Sequence, residues 1–217
     1  WYRTEFTLSE TEAHRVVLLE FDGINYAANI WLNGRSLAAA DEARGAFRRF
    51  QYEAARAVRP GGNVLAVEVL PPGPGDFTIG FVDWNPPPPD RNLGLFRPVR
   101  LRFCNDVSIE NPCVQTDLDL DTLAEARLTV CADLVNHRDR PIWGVLDARL
   151  EGVQVTREVY LGSRDTKTVT LTAAEHPELR LAHPRLWWPH DMGQPFLHVL
   201  DLRFVAGPEV FDLVSVP

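Results

Sequence analysis

The 217-residue chain is short of several things, and each shortage closes off a class of function. It has three cysteines, Cys104, Cys113 and Cys131, an odd number with no C-x-x-C pair. A thiolate metal site is therefore not indicated, and buried free thiols are expected. The six histidines show no H-E-x-x-H or H-x-H spacing, so neither a metal nor another cofactor is expected. Basic residues are outnumbered, 22 against 30 acidic ones, and the formal charge of −8 has the wrong sign for a nucleic acid partner. No apolar run approaches the ~20 residues that cross a bilayer as a helix, and no membrane partner is expected. A Gly-rich phosphate loop and a G-x-S-x-G elbow are both missing, and no spacing pairs two carboxylates for acid–base work.

What is present is alternation of period two. With 45% hydrophobic residues, the chain has apolar surface for two modest cores. YRTEFTLS (2–9) and HRVVLLEFDG (14–23) read as strands, and NYAANIWLNGRSLAA (25–39) reads as two strands joined at Asn33-Gly34. That dipeptide suits the two positive-φ positions of a type I′ hairpin turn. GAFRRFQYEA (45–54) and NVLAVEVLPP (63–72) follow, separated by the turn signal RPGGN, and FRPVRLRFC (96–104) closes the series. Helical signals are thin, with only EAARAV (53–58) suggesting a turn or two.

A second series of strands is predicted over 107–119, 125–137, 142–152, 153–162, 166–173, 195–207 and 209–217. Seven short strands in ~110 residues is the pattern of an immunoglobulin-like sandwich, here without its inter-sheet disulfide. The fold class is thus all-β, a sandwich or barrel followed by the immunoglobulin-like sandwich, with a boundary near Asn105, giving domains 1–105 and 106–217. The opening WYRTEFTLS is already strand-like and carries no signal sequence. The compartment stays open between cytoplasmic and, for a parent bearing a leader, periplasmic or extracellular.

One cluster has binding chemistry. In FVDWNPPPPDRNLGLF (81–96), four prolines separate Asp83-Trp84-Asn85 from Asp90-Arg91-Asn92. An indole stacks on the apolar face of a sugar, and Asp and Asn fix hydroxyl groups by directed hydrogen bonds. Prolines reduce the entropy that such a loop loses on ordering. The plainer alternative is that Trp84 plugs a core edge and the prolines only bridge two sheets. RLWWPHDMGQP (185–195) is the other conspicuous stretch; neighbouring tryptophans on a strand face opposite ways, so at least one is expected to pack in a core or against a domain, with carbohydrate binding by the pair as the sharper alternative.

WYRTEF, FDGINYAANIWLNG, GNVLAVEV, GFVDWNPPPPDRNLGLFRPVRL and RLWWPHDMGQPFLHVLDLRF together resemble the N-terminal half of glycoside hydrolase family 2, nearest its exo-β-D-glucosaminidase and β-mannosidase branch. Phe96 departs from the Trp common there. The resemblance implies a jelly-roll, galactose-binding-like domain followed by an immunoglobulin-like domain, both preceding a (β/α)₈ catalytic barrel as the chain's own partner. It also implies retaining hydrolysis of a β-glucosaminide or β-mannoside by two carboxylates. The family's acid/base motif contains Asn-Glu, a dipeptide this chain lacks, so no catalytic residue is assigned within it. Asp83 and Trp84 match positions that contact sugar in relatives, and Asn85, Asp90 and Asn92 are further candidates for substrate binding. A freestanding carbohydrate-binding or adhesion module is the alternative.

Overall fold

The computed structural model describes residues 1–78, 84, 86 and 88–217. Two compact units divide the chain, Trp1–Phe103 and Cys104–Pro217. Strands of the first are β1 (Tyr2–Leu8), β2 (Val16–Phe21), β3 (Ile24–Asn25), β4 (Ala27–Leu32), β5 (Arg35–Ala38), β6 (Phe50–Glu53), β7 (Gly61–Leu70), β8 (Gly94–Leu95) and β9 (Val99–Cys104). They form one sheet ordered β1-β7-β4-β5, a second ordered β6-β2-β9, and a two-stranded ribbon β3-β8. This is the jelly-roll sandwich.

Its core follows from the alternation. In β7, Leu65, Val67 and Val69 point inward with Asn63 while the residues between them face out. They meet Val17, Leu19 and Phe21 of β2 and Ile30 and Leu32 of β4 in one cluster. The β4–β5 hairpin turns at Asn33 (φ 52°) and Gly34 (φ 79°), the pair of positive-φ residues that a type I′ turn demands. Buried Asn63 organises RPGGN: its Nδ2 donates to the Arg59 and Gly61 carbonyls at 2.8 and 2.9 Å, and its Oδ1 accepts from the Arg59 N–H.

The second unit holds β10 (Val107–Leu118), β11 (Glu125–Asn136), β12 (Ile142–Leu150), β13 (Val153–Leu161), β14 (Thr166–Thr172), β15 (Arg180–Ala182), β16 (Leu200–Ala206) and β17 (Glu209–Val216). One sheet runs β10-β11-β14 with β15 also on β11, and the other runs β13-β12-β16-β17, an immunoglobulin-like sandwich. Leu128, Val130 and Leu134 of β11 pack with Leu146, Leu161, Leu171, Leu202 and Phe204. Half-buried Asp106 binds Arg138 Nε at 2.6 Å and Arg140 Nη2 at 2.7 Å. Burial pushes its pKa up, but the two guanidiniums outweigh this and hold it below 3.8.

Four expectations need correction. Residues 45–49 and 195–199 are not strand; β6 begins at Phe50 and β16 at Leu200. The stretch 185–195 is irregular apart from a Trp187–Pro195 bridge, so its tryptophans are not neighbours on a strand. Of the three free thiols only Cys104 is buried; Cys113 is exposed and Cys131 lies between these extremes. Finally, a short helix, α1 (Glu10–Ala13), arises from a Ser9–Glu12 capping box: Glu12 N–H donates to Ser9 Oγ and Ser9 N–H to the Glu12 carboxylate.

Candidate sugar-facing loop

Between β7 and β8 the chain makes a long excursion from Pro71 to Leu93. Its outgoing arm is pinned by Asp76, whose Oδ2 accepts from Gly73 N–H at 2.8 Å and whose Oδ1 meets Arg44 Nη2 at 2.6 Å. The Gly73 amide first, and Arg44 after it, keep that carboxyl below its ordinary range. Arg44 also lies over the Tyr26 ring, 5.1 Å from its centre. Phe77 on this arm touches Phe47, with ring centres 5.4 Å apart, and both rings are exposed.

The returning arm is a tight turn. Arg91 N–H donates to the Pro88 carbonyl and Leu93 N–H to that of Asp90, while Asn92 N–H donates to Asp90 Oδ1 at 3.0 Å. Arg91 and Asn92 both take positive φ, 53° and 54°. Next comes Gly94 at φ 151°, where a Cβ would stand 2.7 Å from the Tyr2 hydroxyl; only glycine fits both the backbone and the space.

Asp90 and Asn92 line an open cleft of about 420 Å³ together with Tyr2, Leu93, Gly94, Leu95 and Phe96. The structure thus brings two of the five candidates together, on one side of a phenol and a phenyl ring. Trp84 is not among the cleft's lining residues; it stands 82% exposed. Asp83 and Asn85 lie outside the described residues. An indole so exposed plugs no core edge within its own unit, which removes the plainer reading of Trp84 there. Phe96 lies over Gly23, whose absent side chain makes room for the ring.

Sequence reasoning missed Asn25. It is 0% exposed, and its Nδ2 donates to the carbonyls of Asn92 (2.8 Å) and Arg91 (3.3 Å) while its Oδ1 accepts from Thr78 Oγ1 (2.6 Å). Nothing local marks it, since it sits in an ordinary β pattern and its partners are more than fifty residues away.

The other Trp-rich stretch lies in the second unit. Leu186, Trp187, Phe196 and Leu197 line an apolar cavity of about 320 Å³ with Leu128, Leu150 and Leu200. Trp188 packs on Gly193, where a Cβ would be 2.9 Å from the indole. Arg185 caps the cavity, stacking 3.7 Å from the Phe196 ring centre and pairing with Glu151.

Comparison with known proteins agrees with this architecture. The glycosyl hydrolase 2 galactose-binding domain-like family matches residues 1–73, and glycosyl hydrolases family 2 matches residues 107–217. The exo-β-D-glucosaminidase of Streptomyces avermitilis is 38% identical over 99% of this chain, which spans 24% of that protein. For the exo-β-D-glucosaminidase of Amycolatopsis orientalis the identity is 32% over 95% of this chain and 19% of the relative. The crystal structure of the Amycolatopsis orientalis exo-chitosanase CsxA superposes with a TM-score of 0.91 at 30% identity, covering all of this chain and 25% of that one. The chain therefore spans about a quarter of the length of such relatives or less. Because the family 2 match alone takes in just over half of its residues, this chain belongs to glycosyl hydrolases family 2.

Proposed function

We propose that the chain is the non-catalytic N-terminal part of a retaining exo-β-glycosidase acting on β-glucosaminides or β-mannosides. In this reading the loop between β7 and β8 forms one wall of the terminal-sugar pocket, facing a catalytic barrel later in the parent protein. The observation that carries it is the contrast within the loop: both arms are anchored, yet Trp84 is held out with 82% of its surface exposed. A well-anchored loop that spends its indole on solvent is poised to stack that ring on a ligand.

The chemistry follows from the division of labour. Retaining hydrolysis needs one carboxylic acid to protonate the leaving oxygen and a second carboxylate to attack, both in sequence beyond this chain. The loop supplies recognition. Asp83, with Asn85, Asp90 and Asn92, accepts hydrogen bonds from sugar hydroxyls, and Trp84 closes the apolar side. Relatives named for β-D-glucosaminide hydrolysis, matched along nearly the whole chain, support the amino-sugar substrate over the mannoside.

A charged hydrogen bond contributes roughly 1.5–3 kcal/mol. In the full-length enzyme, Asp83→Ala is therefore expected to lower kcat/KM on p-nitrophenyl β-glucosaminide by about 10- to 150-fold. The loss falls on kcat if the bond tightens as the ring distorts and on KM if it serves both states equally. Full activity in Asp83→Ala would refute the pocket role.

A further inference from the structure

The geometry points to Asn25 as a positioning residue that ties the two arms of the β7–β8 loop to each other. A carboxamide has two donor hydrogens and an acceptor oxygen, and Asn25 uses both kinds. On one side its Nδ2 holds the Arg91 and Asn92 carbonyls of the returning arm; on the other its Oδ1 takes the Thr78 hydroxyl of the outgoing arm. The Asn25 end of the bridge is buried and its partners are part-buried, so when the bonds break the Asn25 amide keeps a desolvation cost that water does not repay.

The ribbon around it supports the same role. β3 meets β8 through only two pairs, Ile24–Leu95 and Asn25–Gly94. So short a ladder leaves side chains to hold the residues before Gly94: Asn25 grips two carbonyls there, and among the described residues Arg91 Nη1 also reaches the Pro72 carbonyl of the outgoing arm, at 3.5 Å. Backbone conformation adds to the need, because Arg91 and Asn92 both sit at positive φ. Non-glycine residues adopt that conformation at a cost and stay there when surrounding bonds hold them. The Nδ2 group grips their two carbonyls. Asn92, a cleft residue and sugar-binding candidate, is thus placed by a side chain that never reaches the cleft surface.

Two arms test this. Trypsin offers a direct probe, since Arg91 is the one cleavable basic residue between positions 60 and 99; Arg97 precedes Pro98 and resists cutting. In the 217-residue chain, Asn25→Ala and the milder Thr78→Val are compared with the unaltered protein, with each cut identified by mass spectrometry. Cleavage after Arg91 is expected to accelerate roughly 5- to 150-fold for Asn25→Ala, and less for Thr78→Val, as local opening becomes easier. Cleavage after Arg102, inside β9, is expected to stay near its original rate. Equal acceleration at Arg91 and Arg102 would mean that Asn25 only stabilises the sandwich, and an unchanged rate at Arg91 in both variants would mean that it holds nothing.

The kinetic arm rests on the proposed pocket role. In the full-length enzyme Asn25→Ala is expected to lower kcat/KM, and to add little to the loss already caused by Asp83→Ala, because both act through one loop. Full additivity of the two losses would overturn the positioning role. Should Asp83→Ala alone keep full activity, the pocket reading falls, and the tryptic comparison still decides whether Asn25 ties the loop.

Discussion

The loop around Trp84 and the turn around Trp187 and Trp188 are built from the same materials, proline, tryptophan and a few polar residues, yet Trp84 and Trp188 are placed in opposite ways. Trp84 is exposed on an excursion whose anchors are polar: the Asp76–Arg44 pair and the buried amide of Asn25. Trp188 is half-buried on Gly193, and Trp187, though 56% exposed, borders an apolar cavity lined by leucines of the sandwich itself. Composition does not separate the two cases. The neighbours in sequence differ: Trp84 stands between Asp83 and Asn85 ahead of a run of prolines, whereas Trp188 is followed by Met-Gly and Pro-Phe-Leu and packs on Gly193 of its own domain.

The comparison sharpens into predictions. The largest effect is categorical. The 217-residue chain alone is expected to show no turnover of aryl β-glucosaminide or β-mannoside, since in the proposed reading its loop only recognises sugar and both catalytic carboxylates belong to the rest of the parent protein. Sustained release of p-nitrophenol by the purified chain, tracking with the protein through chromatography, would break the division between recognition and chemistry. Next in size is the turn: Gly193→Val places side-chain atoms where Trp188 now lies and is expected to cost the second domain about 1–3 kcal/mol, measured by urea unfolding. Wild-type stability in that variant would show that Trp188 moves aside freely and that the turn is not part of the packing.

A smaller effect is electrostatic. Asp106 has a folded-state pKa below its ordinary 3.8, because Arg138 and Arg140 overcome the burial penalty. A depressed acid stabilises the fold above its unfolded pKa and loses that contribution as pH falls through the lowered folded value. The second domain is therefore expected to lose thermal stability below about pH 4, and Asp106→Asn to flatten this acid limb while lowering the neutral-pH plateau. An acid limb unchanged in Asp106→Asn would remove this pair from the account.

Particular residues explain what was legible beforehand. The Asn33-Gly34 hairpin was readable because positive φ at two successive residues is a local demand with a local signature. The long strands of both sandwiches were readable because one face of each is buried, which writes itself into the alternation of β7 and β11. Helix α1 had a signal in Ser9-x-x-Glu12, but four residues carry too little periodicity to stand out between strands. β3 and β8 were not readable at all; two-residue strands have no period, and their pairing joins Ile24 to Leu95 across the domain. Asn25 shares that fate, since its role exists only once the loop has returned. At the site, the sequence picked out Trp84, Asp90 and Asn92 by chemical type, and only the fold separated the exposed indole from the two residues that line the cleft.

The account's central claim is that the loop serves a ligand while the turn serves the fold, and one crossed measurement tests it. In the full-length enzyme, kcat/KM on aryl β-glucosaminide and the thermal midpoint are measured for Trp84→Ala and Trp188→Ala side by side. Trp84→Ala is expected to lose about 5- to 150-fold in kcat/KM, in keeping with ~1–3 kcal/mol for a stacking contact. Its stability is expected to stay within about 0.5 kcal/mol of wild type, as for other exposed positions. Trp188→Ala is expected to do the reverse, lowering the thermal midpoint while the folded fraction keeps its kcat/KM. A Trp84→Ala enzyme with full activity and a lowered midpoint would contradict the claim outright.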